Sequence, residues 1–117
     1  MNKKIGAIGE QLAVHYLKNK GYRILDCNYR TRLGEIDIIA ILNDTIVFVE
    51  VKTRSSGAFG TPSEAVNYKK QMTIRRVSQQ YLLSNRLGED DWNLRFDVIE
   101  VQLIEKKYKI NHMENAF

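Results

Sequence analysis

The nine residues from Thr45 to Thr53 constrain the fold more than any other stretch of the chain. In a strand, side chains two apart share a face, so Ile46 and Phe48 point the same way as Glu50 and Lys52 while Val47, Val49 and Val51 point the other way. A strand that is apolar on both faces for most of its length needs a covering layer on each side, which places it at the centre of a sheet. It turns polar on one face only at its end. Ions at such a position need partners to offset their desolvation, so Glu50 and Lys52 mark where a site opens at the edge of the sheet.

The flanking sequence supplies the layers. Ile5, Ile8, Leu12 and Tyr16 recur at helical spacing, and Gly21 is a suitable stop, so a first helix is expected from Ile5 to about Lys20. Glu10 lies beside that stripe, near Val14 and Leu17. On geometry alone it either faces solvent or leans over the edge of a sheet. Tyr22–Tyr29 and Glu35–Leu42 read as strands, joined by the turn Thr31-Arg32-Leu33-Gly34 and followed by the turn pair Asn43-Asp44. Thr61-Pro62-Ser63-Glu64 has the form of a capping box with proline at the first helical position, so a second helix is expected from Pro62. Its inner stripe is Ala65, Val66, Thr73, Val77 and Tyr81, and it ends between Asn85 and Gly88. A fourth strand follows around Leu94–Ile99, and a fifth over Tyr108–His112. The expected order is α-β-β-β-α-β-β, an α/β fold with a mixed central sheet flanked by helices.

At 117 residues the chain suits one compact domain with a single core. No apolar run approaches the roughly 20 residues of a membrane-spanning helix, and the first residues carry no apolar signal core, so a cytoplasmic protein without membrane attachment is expected. Cys27 is the single cysteine, which excludes an internal disulfide, and it reads as a half-buried strand residue. The net charge of +4 is mild, but its distribution is uneven. Between Lys20 and Arg76 there are ten basic and six acidic residues, and three of the acids are Glu35, Asp37 and Glu50. With those three turned towards a metal, the surroundings become cationic, as a phosphate-backbone channel requires. Arg32, Arg54, Lys69, Lys70 and Arg76 are the candidate nucleic-acid contacts.

Asp37 stands on the strand before Glu50. If the two strands pair antiparallel, both carboxylates come within reach of one divalent cation, with the Lys52 amine beside them. Hydrolysis of a phosphodiester needs an activated water and neutralisation of developing charge, and Mg²⁺ or Mn²⁺ takes oxygen ligands while retaining several waters. Asp37, Glu50 and the backbone carbonyl of Val51 are the candidate metal ligands, and Lys52 the group that orients the water or stabilises charge. Glu35 is either a supporting carboxylate or a turn-facing one. Arg95 and Asp97 read as a structural pair, His15 and His112 as isolated, and Trp92 as a core plug.

The pattern Asp, spacer, Glu-x-Lys resembles that of the PD-(D/E)xK nuclease superfamily, and the element order resembles its restriction-endonuclease-like three-layer core. Within it the chain resembles the small bacterial YraN-like family through Gly9-Glu10, Gly34-Glu35-Ile36-Asp37-Ile38-Ile39-Ala40, Phe48-Val49-Glu50-Val51-Lys52-Thr53-Arg54, Arg95-Phe96-Asp97-Val98 and Asn115-Ala116-Phe117. That family is similar in turn to archaeal-type Holliday-junction resolvases. The resemblance implies a catalytic set of Glu10, Asp37, Glu50 and Lys52, with Glu10 binding a water or a second metal. It also implies a metal-dependent endonuclease for branched or structured DNA, with similar resolvases working as homodimers; a nuclease this small is also expected to need a protein partner to deliver its substrate. The alternatives are a nucleic-acid-binding or partner-interaction module that keeps the fold without turnover, and a scaffold whose acids are merely paired.

Overall fold

The computed structural model describes residues 3–55, 66–88 and 90–117. The chain runs α1 (Lys3–Asn19), β1 (Arg23–Arg30), β2 (Glu35–Leu42), β3 (Thr45–Arg54), α2 (Tyr68–Ser84), β4 (Asn93–Ile104) and β5 (Lys107–Met113), which is the expected order. The five strands form one sheet in the order β1-β2-β3-β4-β5. β1, β2 and β3 pair antiparallel, β3 and β4 pair parallel through the α2 crossover, and β5 returns antiparallel to β4.

The alternation along β3 divides the core in two. Ile46 and Phe48 pack with Ile74, Val77 and Tyr81 of α2, while Val47, Val49 and Val51 pack with Ala13 and Leu17 of α1. The helices therefore cover opposite faces of the sheet, giving three layers around a central β3.

α1 differs from expectation in which face it buries. Its buried line is Gly9, Ala13 and Leu17, flanked by half-buried Leu12, Val14 and Tyr16, whereas Ile8 is 39% exposed. Side-chain hydrophobicity points to Ile8, but close approach of backbone to sheet favours the small residues. A Cβ on Gly9 would lie 1.8 Å from Thr53 Oγ1, so no larger residue fits at the helix–β3 crossing without a shift. The helix closes as a Schellman turn, with Gly21 N donating to Lys18 O and Tyr22 N to Leu17 O, both at 3.0 Å.

α2 starts at Tyr68, after Asn67, whose side chain caps the N–H of Lys70. The expected capping box at Thr61–Glu64, together with Ala65, lies outside the described residues. Val66, expected on the helix stripe, sits in a bend before α2 and is buried in the core. Trp92 packs against the α2-side core as expected. Cys27 is exposed rather than half-buried, since β1 is an edge strand.

Candidate functional site

The antiparallel ladder between β2 and β3 runs from Leu42 opposite Thr45 to Ile38 opposite Val49 and stops there. Beyond it the strands part. Ile36 packs on the α2 side and Ile38 on the α1 side, so the alternation of β2 is broken at the residue between them. Asp37 turns into the gap, where its Oδ2 accepts a hydrogen bond from the Val51 N–H at 2.7 Å. A side-chain carboxylate thus takes the place of the next backbone acceptor, which keeps the amide satisfied while opening a cleft between the strands.

Glu50 and Lys52 project from β3 at this opening, and α1 delivers Glu10 from the other side because Gly9 holds that turn against Thr53. Glu10, Asp37, Glu50, Lys52, Glu35 and Lys70 all line one open cleft of about 540 Å³. Glu10 is half-buried and hydrogen-bonds to Asp37. Glu35 pairs with Arg30 at 2.8 Å near the rim, both side chains being largely exposed.

The electrostatics of the cleft are those of crowded acids. Burial pushes the Asp37 carboxyl up to about 7, assisted by the negative charge of Glu50 and opposed by the Val51 N–H. Glu10 is also raised, by burial first and then by the charge of Glu35. Glu50, only 7% exposed, is held by Lys70 of α2, whose Nζ lies 2.5 Å from Glu50 Oε1.

Such a donor set suits a hard cation. Among the described residues, no three His, Cys, Asp or Glu side chains converge closely enough to hold a metal between them. Magnesium, however, is commonly bound through one or two carboxylates plus water and substrate phosphate, a demand that Asp37, Glu50 and the Val51 carbonyl fit.

The expected phosphate contacts separate into three groups. Lys70 lies inside the cleft on Glu50, and Arg54 pairs with buried Glu100 at 3.2 Å. Lys69 is exposed in the first turn of α2. Arg32 and Arg76, both exposed, line a second cleft of about 670 Å³ with Gln79 and Gln80, where the β1–β2 turn lies on α2. Gly34 permits that seating, since a Cβ there would come 2.5 Å from Thr73 Cγ2.

Two relationships escaped the sequence reading. Lys70 is a partner of the buried acid rather than one more surface cation, and helix phase relative to the sheet is what decides this. His112, expected to be isolated, donates from Nε2 to Asp97 Oδ2 at 2.7 Å, and its Nδ1 meets the Tyr16 hydroxyl at 3.1 Å. Asp97 also receives Arg95, in the expected pair, and the Asn115 N–H. The signal for this network was an aspartate in the apolar run of a core strand, which requires several donors to be buried.

Comparison with known proteins places the chain among relatives of its own length. Residues 9–101 match the model of Uncharacterised protein family UPF0102. A UPF0102 protein of Alkaliphilus oremlandii is 99% identical over 117 residues, covering 100% of both chains. One from Alkaliphilus metalliredigens is 50% identical over 117 residues with the same coverage. One from Clostridioides difficile is 52% identical over 116 residues, covering 99% of this chain and 98% of its own.

Proposed function

This chain belongs to the UPF0102 family, the YraN-like group its motifs resemble, and we propose that it is a metal-dependent nuclease of the PD-(D/E)xK type acting on branched or structured DNA. The observation that carries this reading is the meeting of Glu10 from α1, Asp37 from β2, and Glu50 and Lys52 from β3 in one cleft. The three acids come from three separate elements, and Asp37 stands where the β2–β3 ladder ends.

In this reading Asp37, Glu50 and the Val51 carbonyl would hold Mg²⁺ or Mn²⁺. When bound, the ion supplies positive charge to the phosphate oxygens and acidifies a water ligand. Lys52 orients the attacking water and stabilises charge developing on the phosphate. Glu10 accepts a hydrogen bond from a water at the α1 side of the cleft. Arg32 and Arg76 give the DNA backbone a second anchorage, which favours recognition of shape and phosphate over base sequence. A homodimer would supply two such clefts to a junction, and the protein would work in the cytoplasm.

The Lys70–Glu50 pair favours a second reading, a nucleic-acid-binding module without turnover, because a lysine already neutralises one of the acids. A labelled panel of single-stranded, duplex, flap and four-way-junction DNA, with RNA alongside, decides between them in Mg²⁺ or Mn²⁺. The nuclease reading expects cleavage of a branched form by the wild type and none by Glu50→Ala or Lys52→Ala. Binding without cleavage in either metal would establish the module instead.

A further inference from the structure

The ion pair at Glu50 has a consequence that rests on the proposed metal site. Glu50 is 7% exposed, and a carboxylate so placed is strongly destabilising without a partner. Among the described residues Lys70 is the cation paired with it, at 2.5 Å. The pair joins two unlike environments. Glu50 is fixed in the sheet, whereas the Lys70 side chain is 40% exposed and reaches in from the first turn of α2. The backbone of that turn is anchored, because Asn67 Oδ1 accepts the Lys70 N–H at 2.9 Å. A lysine stem on a fixed backbone can turn its ammonium out to water by rotamer change alone, with no movement of the helix.

We propose that Lys70 is a displaceable counter-ion: it occupies Glu50 while the cleft is free of metal, and it yields the carboxylate to a divalent cation. The device explains how Glu50 can stay buried beside Asp37 and Glu10 in a metal-free cleft without unfolding that edge of the sheet. It also sets the metal affinity. A ligand that must first displace an internal cation binds with its intrinsic affinity multiplied by the fraction of sites that cation leaves free. Once released, the ammonium stands at the mouth of the cleft, where a substrate phosphate would replace the carboxylate as its partner.

The test is calorimetric titration of the full chain with Mn²⁺ alone, comparing wild type, Lys70→Gln, Lys70→Arg and Asp37→Asn. Lys70→Gln keeps a hydrogen-bond donor for Glu50 while removing the competing charge, and it should tighten Mn²⁺ binding about tenfold, the worth of one charge-assisted hydrogen bond. Lys70→Arg should bind as the wild type does, and Asp37→Asn should abolish binding. Thermal unfolding without metal shows that each variant is folded. Wild-type binding that Lys70→Gln leaves unchanged or weakens overturns the counter-ion role while leaving the metal site standing. Absence of Mn²⁺ binding in both wild type and Lys70→Gln overturns the metal site itself, and the counter-ion role with it.

Discussion

Asp37 Oδ2 accepts the Val51 N–H at 2.7 Å across the point where β2 and β3 separate, so one carboxylate both ends a ladder and enters the cleft. Its folded carboxyl is raised from 3.8 to about 7, by burial and then by Glu50. Between those values the folded chain holds a proton that the unfolded chain has released. Stability therefore falls as pH rises from about 4 to about 7. Asp37→Asn keeps the acceptor oxygen and removes the titration. Its Tm should exceed that of the wild type at pH 8 by more than at pH 5; a constant difference would mean that Asp37 does not titrate in this range.

The opposite sign belongs to Asp97. Burial alone would raise its carboxyl, but hydrogen bonds from His112, Arg95 and the Asn115 N–H outweigh it and hold the group below its ordinary 3.8. Its contribution is present above that value and disappears as pH falls through the lower folded value. Asp97→Ala removes the acceptor that Arg95 and His112 share, although Arg95 keeps Glu114 at 2.9 Å, and urea denaturation at pH 7 should show a destabilisation of about 3 kcal/mol, the low end for a broken buried pair.

Gly9 and Gly6 stand one turn apart on α1 and should respond oppositely to alanine. At Gly9 the new Cβ would press on Thr53, whereas at Gly6 nothing lies within 4 Å. Chemical denaturation should register a destabilisation of roughly 1–3 kcal/mol for Gly9→Ala. Gly6→Ala should stabilise by about 0.5–1 kcal/mol through helix propensity.

The anchorage proposed for Arg32 and Arg76 would have a salt signature. If both neutralise phosphates, the double substitution Arg32→Ala/Arg76→Ala should reduce the slope of log K against log salt for duplex DNA by roughly 1.8, about 0.9 for each phosphate no longer neutralised. Affinity measured by fluorescence anisotropy from low to moderate salt gives the slope. An unchanged slope would remove the second cleft from the DNA path.

Much of the architecture could be read before the fold was known, because the signals were periodic and local. The two apolar faces of Thr45–Thr53 required a central strand with layers on both sides, and β3 is central, with a helix on each face. The turn pair Asn43-Asp44 and the stop at Gly21 are short-range chemistry, and both stand where expected. The buried face of α1 was misjudged because hydrophobicity gives weight to Ile8 and none to Gly9, whereas packing distance rewards the residue that lacks a side chain.

The strands, their order and the residue types available to the cleft thus follow from patterns two, three or four residues long, which backbone geometry imposes wherever the chain is apolar on one side. The gap between β2 and β3, the turn of Asp37 into it and the capture of Glu50 by Lys70 depend on pairings across 14 and 20 positions of chain. No local pattern encodes them, because each arises only when helix phase, strand register and the need to satisfy a buried charge are met together.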